Sequence, residues 1–165
     1  MDPDRIFENI IDAYAGYYDI KREGAASPFD AEAFLSNEAE QYFLVKAAKV
    51  ASVNSYEYVF FIRKDDLRPE ELIELDKRAW EEGMSRVKPD GDHKNTDVSL
   101  IVVTQKAAGD IPQVIKSLNH SRNYKFGLWG FSNYRLVVIE AGAQTVHTNR
   151  RGRELKDFVQ RAIQR

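Results

Sequence analysis

Three arginines crowd the start of the last helical segment, in the run Asn149-Arg150-Arg151-Gly152-Arg153-Glu154. Cations there oppose the helix dipole, which favours acids at an N-terminus by about 0.3–1 kcal/mol per charge. Guanidinium groups beside free helix amides also make a good clamp for phosphate or carboxylate. Two readings stand open. Acidic residues from elsewhere in the chain neutralise the cluster, or Asn149, Arg150, Arg151 and Arg153 form an anion site. In the second reading Asn149 caps the helix and Gly152 lets a partner approach the backbone.

Other candidate chemistry is sparse. No phosphate loop of the Walker type, no G-x-G-x-x-G, no H-E-x-x-H and no G-x-S-x-G occurs. The absence of cysteine excludes disulfides, thiolate zinc sites, iron–sulfur clusters and cysteine nucleophiles. His93, His120 and His147 lie far apart with no ligand spacing, so each reads as a surface or structural residue. The polar stretch Pro89 to Asp97 opens like a calcium loop, but Ile101 stands where the twelfth position needs a glutamate. It reads as a plain helix-to-strand turn built on Asp90-Gly91. No cofactor is indicated.

These side chains need elements to position them. Asp2 and Pro3 open a first helix with Phe7, Ile10, Ile11, Tyr14, Tyr17 and Tyr18 on one stripe. Phe29 to Leu35 alternates as a strand. Residues 39–53 fit a helix or a strand, with a slight lean to the strand. Tyr58–Ile62, Val98–Val103 and Leu136–Ile139 are apolar on both faces, as strands covered by helices on each side should be. Between them lie helices from Pro69 to Met84 and from Ile111 to Leu118, which suggests parallel crossovers. Tyr124–Trp129 and Tyr134–Glu140 read as a hairpin around Gly130, with Tyr124, Phe126 and Leu128 sharing a core-facing side. Leu155, Phe158, Val159, Ala162 and Ile163 stripe a final helix. The fold class is α+β or α/β, a single mixed β-sheet with helices on both faces.

In such sheets ligands bind beyond the carboxyl ends of parallel strands. That makes Arg63, Lys64, Gln105 and Lys106 a second candidate pocket, unless the nearby Asp65, Asp66 and Asp110 are simply helix caps and first-turn acids.

If residues 39–53 form a strand, the element order helix, three strands, helix, strand is similar to the core of the PD-(D/E)-x-K nuclease superfamily. That resemblance implies a divalent metal held by an Asp and a Glu beside a water-positioning Lys. The motif does not follow. The third strand offers Glu57-Tyr58-Val59 without the lysine, Asp90 to Lys94 sits in a loop, and Asp19-Ile20-Lys21 lies beside the first helix. A degenerate relative fits better than a working nuclease. Glu57 to Phe61, Tyr124 to Leu128 with Asn133-Tyr134-Arg135, and Thr148 to Lys156 together resemble a prokaryotic family known only as a domain of unknown function. That resemblance spans most of the chain and implies no activity.

Composition sets the remaining bounds. A chain of 165 residues with 43% apolar and 30% charged side chains suits one globular domain, 1–165. No apolar run reaches the roughly 18 residues of a membrane span and no secretory leader opens the chain, so a cytoplasmic protein without a membrane partner is expected. Residues 1–115 carry 14 basic and 23 acidic groups, whereas residues 116–165 carry 10 and 3. The sign therefore changes from −9 to +7 along the chain, and the basic part is available to an anionic partner. Nucleic acid is one such partner, with Trp129 and Phe131 as exposed platforms, although a pI near 6.0 is low for a dedicated binder. The leading expectation is a non-enzymatic binding or regulatory module with a phosphate or nucleic-acid site. Its rivals are a metal-dependent nuclease-like hydrolase using Asp90, Asp92, His93 or strand-end carboxylates, and a homo-oligomeric interaction module.

Overall fold

Apolar residues that alternate perfectly between two sides dictate a sheet with two covered faces. A computed structural model describes residues 1–37 and 54–165. Among them the elements run α1 (Pro3–Ala15), β1 (Asp19–Lys21), β2 (Ala31–Ser36), β3 (Asn54–Leu67), α2 (Pro69–Ser85), β4 (His93–Ala107), α3 (Ile111–Ser117), β5 (Ser121–Asn123), β6 (Phe131–Glu140), β7 (Thr145–Thr148) and α4 (Arg153–Ile163). They form one mixed sheet in the order β1-β2-β3-β4-β6-β5, with β7 also on β6.

β1, β2 and β3 are successively antiparallel, while β3, β4 and β6 are parallel neighbours in register: Phe60 beside Leu100 beside Leu136, Ile62 beside Val102 beside Val138. Those residues face α2 and α3, packing on Leu72, Leu75, Ala79, Ile111 and Ile115. The intervening Val59, Phe61, Ile101, Val103, Val137 and Ile139 face α1 and α4. The sheet grows in one direction from β3 to β4 to β6, so crossovers of one hand place both connecting helices on the same face. α2 lies so close to β4 that a Cβ on Gly83 would come within 2.4 Å of Val98 Cγ2.

The mixed sheet and its two helical layers match the expected class. Among the described residues the order helix, three strands, helix, strand is also present, but its first strand is the short β1 over Asp19-Ile20-Lys21 rather than a strand from residues 39–53. Residues 39–53 fall outside the described residues. β7 was not anticipated.

The expected strand Tyr124–Trp129 is corrected. β5 covers only Ser121–Asn123, and the chain then turns through a single 3₁₀ turn at Lys125–Gly127 with φ of 49° at Lys125 and 54° at Phe126. A strand cannot pass through left-handed residues, so the alternation of Tyr124, Phe126 and Leu128 does not make a core face. Phe126 and Leu128 are instead exposed, at 101% and 79%.

Candidate functional site

Asn149 builds the turn that carries the arginines. Its Oδ1 accepts hydrogen bonds from the backbone N–H of Leu136 at 2.9 Å and of Gly152 at 2.8 Å, and its Nδ2 donates to the Leu118 carbonyl at 2.8 Å. The residue is 1% exposed. Leu136 lies on β6 between the residues paired with β5 and those paired with β7. Asn149 thus satisfies a strand-edge amide there, and its own N–H returns to the Leu136 carbonyl. The close backbone approach at Gly152 is made by this same chain, because a Cβ would sit 2.3 Å from the Leu136 carbonyl oxygen. Asn149 is the frame of the site, and its oxygen is already committed.

The frame holds Arg150 and Arg151 over a hollow of about 500 Å³. Asn119, His120 and Ser121, leading into β5, form one wall; Tyr134 of β6 and Glu154 of α4 complete it. Among the described residues none of Arg150, Arg151 and Arg153 takes part in an ion pair. Among the described residues the one carboxylate on the hollow, Glu154, is bound at 3.0 Å to Arg135. Arg153 is exposed and is not among the lining residues.

His120 brings a group that sequence spacing did not single out. Its Nε2 lies 2.7 Å from Oδ2 of Asp76, a carboxylate on the buried face of α2 with only 4% of its side chain exposed. The imidazole stacks on Trp80 at 5.3 Å and meets Tyr134 edge-on at 4.9 Å. Asp76 Oδ1 and the Tyr134 hydroxyl are buried without a well-aligned hydrogen bond among the described residues. Burial, and then the nearby charge of Asp76, push the Tyr134 hydroxyl far above the ordinary tyrosine range. A carboxylate is costly to bury unless something pairs with it, and here the partner is an imidazole on the wall of a basic hollow. Sequence did carry a sign of this: Asp76 interrupts the apolar stripe Leu72, Leu75, Ala79.

A second polar cluster lies on the other face of the sheet and shares Arg151 and Glu154 through a smaller hollow of about 220 Å³. At its centre Arg135 reaches Asp97 at 3.0 Å, Glu154 at 3.0 Å and Glu57 at 3.8 Å. Tyr18 donates a short hydrogen bond to Glu57. Burial raises Asp97 above the usual carboxylate range; Arg135 opposes that shift, while Glu57 and Glu154 add to it. Burial and Glu57 likewise raise the hydroxyls of Tyr14 and Tyr18.

Most of the remaining candidates are used internally. Arg63 pairs with Asp4 and Asp65, and Lys64 with Glu71, while the strands run on to Leu67 and Ala107, so neither Arg63 nor Gln105 stands at a strand end. Lys106 and Gln105 are exposed. Asp90 Oδ1 accepts from the N–H groups of Asp92 and His93, a self-contained turn. His93 is 4% exposed, with one ring nitrogen at 2.7 Å from the Trp129 carbonyl and the other at 2.9 Å from Thr96 Oγ1. Among the described residues no three His, Asp or Glu side chains are placed to hold a metal ion. No helix among them is long and apolar enough to cross a membrane.

No curated protein and no solved structure matches the chain. The sequence model of one family, described as Domain of unknown function (DUF8052), matches residues 2–161, and the chain belongs to that family.

Proposed function

We propose that the domain is a binding module for a phosphate-bearing ligand, held in the hollow beneath Arg150 and Arg151. One observation carries this reading: Arg150 and Arg151 both line a hollow whose single carboxylate among the described residues, Glu154, is already engaged by Arg135. Unpaired cations converging on a concavity attract an anion, and the arginine fork suits phosphate oxygens. His120, fixed through Nε2 by Asp76, adds a donor from its other ring nitrogen when it is protonated, and is then a third positive group on the wall.

Calorimetry with inorganic phosphate, nucleotides and short oligonucleotides tests the proposal. Arg150→Ala/Arg151→Ala should weaken binding at least about tenfold, the loss of one charge-assisted contact. No heat from any of these probes, or equal affinity in the double variant, overturns it. A hydrolytic role has one observation in its favour, the imidazole oriented by a buried carboxylate, which is how a proton-transfer group is commonly held. Release of phosphate from the bound nucleotides, lost in His120→Ala, would convert the binding site into a catalytic one.

A further inference from the structure

The turn between β5 and β6 displays apolar side chains outward on a stiff base. Phe126 is 101% exposed, Leu128 79% and Phe131 50%. The tip is not loose chain. The N–H groups of Gly127 and Trp129 both reach the Tyr124 carbonyl at 3.0 Å, Leu128 N–H reaches Lys125 at 3.0 Å, and Tyr124 N–H closes the loop on Gly130 at 3.0 Å. Below it, the Tyr124 hydroxyl lies 2.7 Å from the fully buried Ser132 hydroxyl, and His93 holds the Trp129 carbonyl. Lys125 and Phe126 sit consecutively in the left-handed region, a conformation that costs free energy for residues with a Cβ. The sequence therefore holds a strained backbone in place, and the result is an aromatic and an aliphatic side chain in water.

We propose that this turn contacts a membrane, inserting Phe126 and Leu128 into the surface of an anionic phospholipid bilayer. Charge selects an anionic occupant: Arg122 and Lys125 flank the tip, and no carboxylate occurs between Asp110 and Glu140. Geometry selects a bilayer over a nucleic acid. A stacking platform has one ring face covered by protein and offers the other to a base, whereas the Phe126 ring is covered on neither. Area separates it from a protein partner. The three side chains offer on the order of 400 Å², about half of the roughly 800 Å² that each partner contributes to a specific protein interface. A few apolar groups and cations are enough for reversible attachment to anionic lipid. The expectation of no membrane partner rests on the lack of a spanning run and of a leader, neither of which bears on a surface contact made by exposed Phe126 and Leu128.

The test is flotation of the full chain with vesicles of phosphatidylcholine alone and with phosphatidylserine added. Serine-containing vesicles should retain the protein at least about tenfold better, and less so at high salt. Phe126→Asn/Leu128→Ser should lose about tenfold of that retention with an unchanged melting transition, since asparagine tolerates the left-handed backbone. Arg150→Ala/Arg151→Ala should still float, which separates this surface from the phosphate hollow. Equal retention on both vesicle types, an undiminished Phe126/Leu128 variant, or a variant that loses oligonucleotide rather than vesicle binding would overturn the proposal.

Discussion

Replacing Asn149 by alanine should unsettle the protein far more than a surface loop substitution does. The side chain is 1% exposed and makes three hydrogen bonds, two accepted from the backbone N–H groups of Leu136 and Gly152 and one donated to Leu118. Alanine orphans two buried N–H groups at roughly 1–3 kcal/mol each, so the expected loss is about 4 kcal/mol. For a chain of this size each kcal/mol moves Tm by roughly 2–4 °C, which gives a drop of about 10 °C. Thermal unfolding followed by circular dichroism reads the change directly, and calorimetry with phosphate well below the new Tm reads the site. Asn149→Ala should then retain a folded protein whose Arg150 and Arg151 are less well positioned. A drop of less than about 2 °C, converted on the same scale, would show that Asn149 does not hold the turn. Lost phosphate binding with unchanged Tm would make Asn149 itself a ligand group. Either result refutes the division between frame and clamp.

Further outcomes follow from the packing and the charges. Asp97→Asn should leave Tm unchanged or raised at neutral pH despite breaking an ion pair, because burial and two neighbouring carboxylates disfavour the ionised form. A carboxyl whose folded pKa is raised costs stability above that pKa and ceases to do so as pH falls through it; the gap between variant and wild type should therefore narrow on acidification, and melts from neutral pH downward would show it. A marked loss of Tm at neutral pH would mean the Arg135 pairing dominates instead. Gly83→Ala should cost about 1–3 kcal/mol through overpacking, against the roughly 1 kcal/mol gain expected in an open helix, since the new methyl meets Val98 at 2.4 Å. Denaturant melts of Gly83→Ala, Val98→Ala and the double variant should show the double to be less harmful than the sum.

Periodicity alone determined much of this molecule. The stripes of α1 and α4, the doubly apolar strands β3, β4 and β6, and Pro69 opening α2 all follow from local spacing, because 3.6- and 2-residue repeats are the physical signature of a face turned toward a core. The crossover helices followed in turn, and with them the sheet that places the arginines beside β6. Local alternation misled at Tyr124–Leu128, where positive φ at Lys125 and Phe126 turns the chain and puts those side chains in solvent. The short β1 and β7 carry too few residues for a pattern to show. Tertiary structure alone decided the site. Asp76 and His120 lie 44 residues apart, and Arg135 gathers Glu57, Asp97 and Glu154 from three different elements. Such meetings depend on strand order and register, which are set by the packing of whole elements and leave no trace in the spacing of any one of them. The arginine cluster is visible in the sequence; that Arg150 and Arg151 lie over a hollow without an ion-pair partner among the described residues follows only from where the folded chain puts its acids.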